Sequence, residues 1–86
     1  MPEMPSKQRW QNIADTIDMG GSLTVTSEGY GVAISNLECD GQMVCMIESG
    51  GMGFEDIMNR IDELAKRFHE KGIVTDDVNG SEYCVW

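Results

Sequence analysis

From residue 54 onward the chain keeps one periodicity for four turns: Phe54, Ile57, Met58, Ile61, Leu64, Ala65 and Phe68 fall at i, i+3, i+4, i+7, i+10, i+11 and i+14. At 3.6 residues per turn these side chains make a single apolar stripe, so the segment predicts a helix that must lie against another layer. The ends agree. Glu55 and Asp56 occupy the first turn and Lys66, Arg67 and Lys71 lie toward the end, matching the helix dipole, and Gly72 followed by Ile73 reads as a left-handed C-cap with its apolar contact. Asp56–Arg60, Asp62–Lys66 and Glu63–Arg67 stand at i,i+4 on the wet face, where acid-before-base pairs support a helix.

The layer beneath it is written upstream with a period of two. Leu23 and Val25 alternate with Thr24 and Thr26, and after Ser27-Glu28-Gly29 the alternation resumes at Tyr30, Val32 and Ile34. A two-residue turn at Glu28-Gly29 would set Val25 opposite Val32 and Leu23 opposite Ile34. A second turn at Asp40-Gly41 leads into Gln42 to Ser49, where Met43, Cys45 and Ile47 alternate; Val44 and Met46, with Leu37 nearby, make the other side apolar as well. Ahead of the strands, Pro5-Ser6 predicts a helix start with Ser6 as N-cap, followed by Trp10, Ile13, Ala14 and Ile17 and ended by Gly20-Gly21. After the long helix come Val74-Thr75-Asp76-Asp77-Val78, an Asn79-Gly80 turn, and a short strand through Tyr83 and Val85, either on a sheet edge or in a small hairpin. The expected fold is α+β: a helix, a three-stranded antiparallel meander, a long amphipathic helix and a short C-terminal strand, in one domain spanning residues 1–86.

Eighty-six residues allow one domain and a thin core. Hydrophobic residues at 41% exceed what a disordered acidic tail carries, so the chain should fold. No run of 18 apolar residues occurs, and Met1-Pro2-Glu3-Met4-Pro5 lacks the basic-then-apolar layout of a signal peptide. A cytoplasmic protein that does not engage a membrane is expected.

Few residues carry chemistry. Cys39, Cys45 and Cys84 are odd in number, lack C-x-x-C spacing and have no neighbouring base to activate a thiol, so reduced cysteines acting as small hydrophobes are expected. His69, the one histidine, falls in the last turn of the long helix, where an exposed imidazolium suits the dipole. Ser49-Gly50-Gly51-Met52-Gly53 before a helix has the look of a phosphate loop, but Glu55 and Asp56 already fill that positive end. Asp76-Asp77 lacks the spaced oxygen ligands of a calcium loop. Neither a cofactor nor a catalytic group is expected.

Charge is the informative property. Fifteen acids against six bases give a net charge of −9, and between Trp10 and Asn59 there is no Lys or Arg at all. A surface of one sign repels nucleic acid and attracts a basic partner. The carboxylates of the meander loops and C-terminal segment, Glu28, Glu38, Asp40, Glu48, Asp76, Asp77 and Glu82, are the expected contacts with a basic protein or nucleoprotein surface. The alternative is a module that homodimerises through the second face of its sheet, using Leu37, Val44, Met46 and Trp86.

Two resemblances follow. The helix, three strands, helix order and the Gly51-x-Gly53 ahead of the second helix are similar to the double-stranded-RNA-binding domain, over about residues 6–68. That family puts lysines at the start of its second helix to grip phosphates; the matching positions here are Glu55 and Asp56, which do the opposite. In size and acidity the chain also resembles the phage-encoded anti-CRISPR and anti-restriction inhibitors. That resemblance implies a non-catalytic protein in a host cytoplasm, inhibiting a nucleic-acid-handling complex by charge or steric mimicry of nucleic acid.

Overall fold

The computed structural model describes residues 9–27, 32–39 and 42–86, with backbone alone for residues 26–27 and 32–39. Its elements run α1 (Gln11–Asp18), β1 (Leu23–Ser27), β2 (Val32–Cys39), β3 (Gln42–Ile47), α2 (Phe54–Lys71), β4 (Ile73–Asp76) and β5 (Ser81–Cys84). The strands form one sheet in the order β1-β2-β3-β4-β5. The class is α+β. The expected antiparallel meander accounts for β1, β2 and β3, but the sheet goes on beyond it through a parallel pair, with Cys45 beside Thr75 and Met46 beside Asp76. Parallel neighbours need a long crossover, and α2 provides it.

α2 spans its predicted stripe. Ile57, Met58, Ile61, Leu64, Ala65 and Phe68 are buried, and Gly72 closes the helix at φ 68°, its N–H bonding the Phe68 carbonyl. Phe54 does not join the core. With α2 laid on β3 and β4 and beside α1, the stripe meets Ile13, Val44, Cys45, Ile47 and Val74. Burial of a Leu- or Ile-sized side chain is worth roughly 1.5–3 kcal/mol, so this cluster is the main stabilising term.

The first helix differs from expectation. Ser6 lies outside the described residues, and α1 starts only at Gln11, with Trp10 as N-cap at φ 61° and no capping bond from its own side chain. Its C-terminus stops as the glycines predict: Gly20 N–H donates to Ile17 O and Gly21 N–H to Thr16 O, both at 2.9 Å, the paired bonds of a Schellman ending.

The hairpin register is also revised. Val25 pairs with Ile34 and Ser27 with Val32, so residues 28–31 connect the strands rather than a two-residue turn. The slip of two residues keeps Val25 and Ile34 on one face, since side chains alternate with period two. Further on, the β2–β3 register changes on either side of Leu37, which pairs with Cys45, while Glu38 pairs with Met43. Two β3 residues therefore face one β2 position, a bulge that breaks the alternation. Val44 and Cys45, though successive, are both fully buried.

β4 carries no prior prediction as a strand. Its four residues follow Gly72 directly, and Val74 and Thr75 are buried in succession, so at this point the sheet is covered on both faces. β5 is the edge strand of the β4–β5 hairpin around residues 77–80, and all four of its residues are exposed.

Candidate binding surface

Each described arginine is held by carboxylates, and apart from Glu63, which stands at i,i+3 to Arg60, the partners are tertiary ones. Arg60 reaches Glu63 at 2.7 Å and Asp77, beyond β4, at 3.3 Å; Arg67 pairs with Glu82 of β5 at 3.0 Å; Arg9 pairs with Glu55 at 2.7 Å. None of the three expected i,i+4 pairs forms among the described residues. The β4–β5 hairpin comes alongside α2 and offers Asp77 to Arg60 and Glu82 to Arg67, whose i−4 neighbours Asp56 and Glu63 are not their partners.

Asp62 has a different task. Its Oδ1 accepts from the backbone N–H groups of Asn12 (2.9 Å) and Ile13 (3.1 Å), and its Oδ2 from Asn12 Nδ2 (3.0 Å). Helix α1, which lacks a cap of its own, is thus capped by a carboxylate from α2, placed where the helix dipole favours a negative charge.

The expected contact residues divide as follows. Glu28 and Asp40 lie outside the described residues, and Glu38 is placed only as a β2 backbone position opposite Met43. Asp77 and Glu82 are tied to Arg60 and Arg67, so their charge is largely answered within the chain. Arg67 holds Glu82 below the usual carboxylate range, chiefly through its hydrogen bonds. Asp76 accepts from Asn79 N–H (3.0 Å) and Asn79 Nδ2 (2.7 Å), bonds that lower its pKa while leaving it charged. Glu48 is exposed and among the described residues has no cation within ion-pair distance.

Four acids in the same condition were not among the expected contacts: Asp15 and Asp18 on α1, Asp56 in the first turn of α2 and Glu70 in its last, all exposed. For α1 the signal was present in the sequence, because Gln11–Asp18 contains no base. The acids without a paired cation among the described residues are therefore Asp15 and Asp18 on α1, Glu48 between β3 and α2, Asp56 and Glu70 on α2 and Asp76 at the end of β4.

The expected dimer patch does not assemble. Val44 is 0% exposed, so it offers nothing to a second chain. Met46 is half-buried, and Leu37 belongs by register to the row of Cys45, not that of Val44 and Met46. Trp86 is 71% exposed, but its ring lies 6.2 Å from that of Phe68, on the side of the sheet that α2 covers.

His69 is half-buried rather than exposed. The Thr16 hydroxyl donates to the Asn12 carbonyl (2.8 Å), so it accepts from His69 Nε2–H, also at 2.8 Å, and links the two helices. Burial pushes the Cys45 thiol up to about 12, with Asp77 adding to the effect and Arg60 opposing it, so it stays protonated. Cys84 is exposed, its sulfur 3.6 Å from Lys71 O and 3.5 Å from Trp86 O, while the Cys39 side chain is outside the described set.

Among the described residues no three of His, Cys, Asp and Glu gather as metal ligands, and no helix is long and apolar enough to cross a membrane. No family model, curated protein or solved structure was found to match the chain.

Proposed function

We propose that this chain is a non-catalytic binding protein that docks on the basic, nucleic-acid-handling surface of a host complex and inhibits it by occupying the place of nucleic acid. The observation that carries the reading is the allocation of charge. Arg9, Arg60 and Arg67 are each spent on acids of the same chain, while Asp15, Asp18, Glu48, Asp56 and Asp76 have no cation paired to them among the described residues. Like charges held on helix ends and turns of a packed sheet cost stability through mutual repulsion, and a cationic partner relieves that repulsion on binding. Asp15, Asp18, Glu48 and Asp56 lie outside the C-terminal hairpin, whose Asp77 and Glu82 are already engaged.

In the anti-CRISPR or anti-restriction setting, the partner is a channel that grips phosphates with Lys and Arg. The test is capture of such a complex by the immobilised chain, followed by elution with the complex's own nucleic acid. The reading requires that nucleic acid and the chain exclude one another, and that Asp15→Lys, Asp18→Lys and Glu48→Lys together abolish capture. Simultaneous binding of both would end it.

A further inference from the structure

At the start of α2, next to the surface just described, the chain builds a small cation site and fills it with its own side chain. Trp10 is the one non-glycine residue at positive φ among the described residues. That strained backbone turns the indole across the entry of α2, where its Nε1–H donates to Asn59 Oδ1 at 2.8 Å and its ring meets Phe54 edge-on, with centroids 6.2 Å apart and planes at 85°. On the Trp10 ring lies the guanidinium of Arg9, its Cζ 4.5 Å from the centroid, and Arg9 Nη2 reaches Glu55 Oε2 at 2.7 Å. An aromatic face, a second ring at right angles and a carboxylate are the elements that recognise a guanidinium.

We propose that Trp10, Phe54 and Glu55 form an arginine-binding site, and that Arg9 is a resident occupant displaced by an arginine of the basic partner. The inference rests on the reading that this partner is basic, and it names one point of contact. That a guanidinium fits is shown by Arg9 itself. The site is open: Phe54 is 64% exposed, and the Arg9 and Glu55 side chains 48% and 68%. It is also preorganised, since the Asn59 bond and the Phe54 contact hold the indole in place independently of Arg9. Phe54 opens the apolar stripe of α2 and yet takes no part in the core, which its place against Trp10 accounts for. Arginine is preferred over lysine because a planar guanidinium stacks on the indole while engaging Glu55 from its edge.

The experiment uses the full chain with Trp86→Phe, which leaves Trp10 as its one tryptophan. The parent and Arg9→Ala are titrated with a capped Gly-Arg-Gly peptide and, at equal ionic strength, with Gly-Lys-Gly, read by Trp10 emission and by the NMR shift of its indole N–H. Removing the occupant should tighten Gly-Arg-Gly binding at least about tenfold, with Gly-Lys-Gly several-fold weaker. In the Arg9→Ala background, Glu55→Gln should cost most of that gain. Trp10→Gly, which suits the left-handed backbone, should abolish binding as read by peptide NMR. The inference fails if Arg9→Ala binds no better than the parent, if the two peptides bind alike, or if Trp10→Gly leaves binding intact. Because the probe is a peptide, such a failure removes the arginine site and leaves the acidic-surface reading to its own capture test.

Discussion

Replacing Asp62 by Ala removes the only side-chain cap that α1 has among the described residues. Two backbone N–H groups, of Asn12 and Ile13, lose their acceptor, and the Asn12 side-chain amide loses its own. Loss of an N-cap costs about 0.5–2 kcal/mol, and loss of a carboxylate from the positive end of a partly buried helix adds up to roughly 1 kcal/mol. A total near 2 kcal/mol is expected, which is a large share of what so small a domain can hold. Asp62→Asn keeps a carbonyl acceptor and should lose about half. Urea titration followed by tryptophan emission reads this directly: with a slope of about 1 kcal/mol/M for a chain of this size, the midpoint should fall by about 2 M in Asp62→Ala. Glu63→Ala, one residue along, removes an exposed partner of Arg60 and should shift the midpoint by less than about 0.5 M. Equal shifts for the two variants would refute the cross-helix cap.

Further outcomes follow from the same geometry. Gly72→Ala puts a side chain at φ 68°, where a Cβ would meet Trp86 Cδ2 at 2.5 Å and Cβ at 2.9 Å; a loss of roughly 1–2 kcal/mol from the backbone alone is expected, together with displacement of Trp86 from Phe68, visible as a change in tryptophan emission. Of Cys45 and Cys84, an aromatic disulfide reagent near pH 8 should label Cys84 at once and Cys45 only as the chain unfolds, with peptide mass spectrometry assigning the sites. Asp76 is held below its ordinary pKa by Asn79, so its contribution is present above the unfolded carboxylate value and is lost as pH falls through the folded one. Asp76→Asn should therefore lower the neutral plateau and converge on the parent's stability in acid, so that the limb below about pH 4 is flatter.

What could be read from the sequence was what local chemistry determines. The α2 stripe, its Gly72 ending, the Gly20-Gly21 stop and the alternation of β1 carry their own signals within a few residues. What escaped depended on partners far along the chain. β4 is four residues long, and although it forms a local hairpin with β5, its parallel pairing with β3 runs across an intervening helix, for which no local pattern exists. The ion pairs went to Asp77 and Glu82 because the hairpin reaches α2, and periodicity on α2 alone cannot reveal that. Trp10 has the spacing of a helical core residue, yet Asp62 takes over the capping and the indole is left outside the helix in a left-handed turn. The candidate surface moved for the same reason: a carboxylate counts as available only after the arginines have chosen theirs.

The central claim is that carboxylates left unanswered within the chain are what a basic partner reads. Its most direct test is the affinity for a captured complex as a function of salt between about 0.1 and 0.5 M, where the screening length falls from about 10 Å to roughly half that. The parent should weaken steeply over this range, and the Asp15→Lys, Asp18→Lys, Glu48→Lys variant should bind weakly with little remaining salt dependence. An affinity that is flat in salt and unaltered by reversing those three charges would contradict the account.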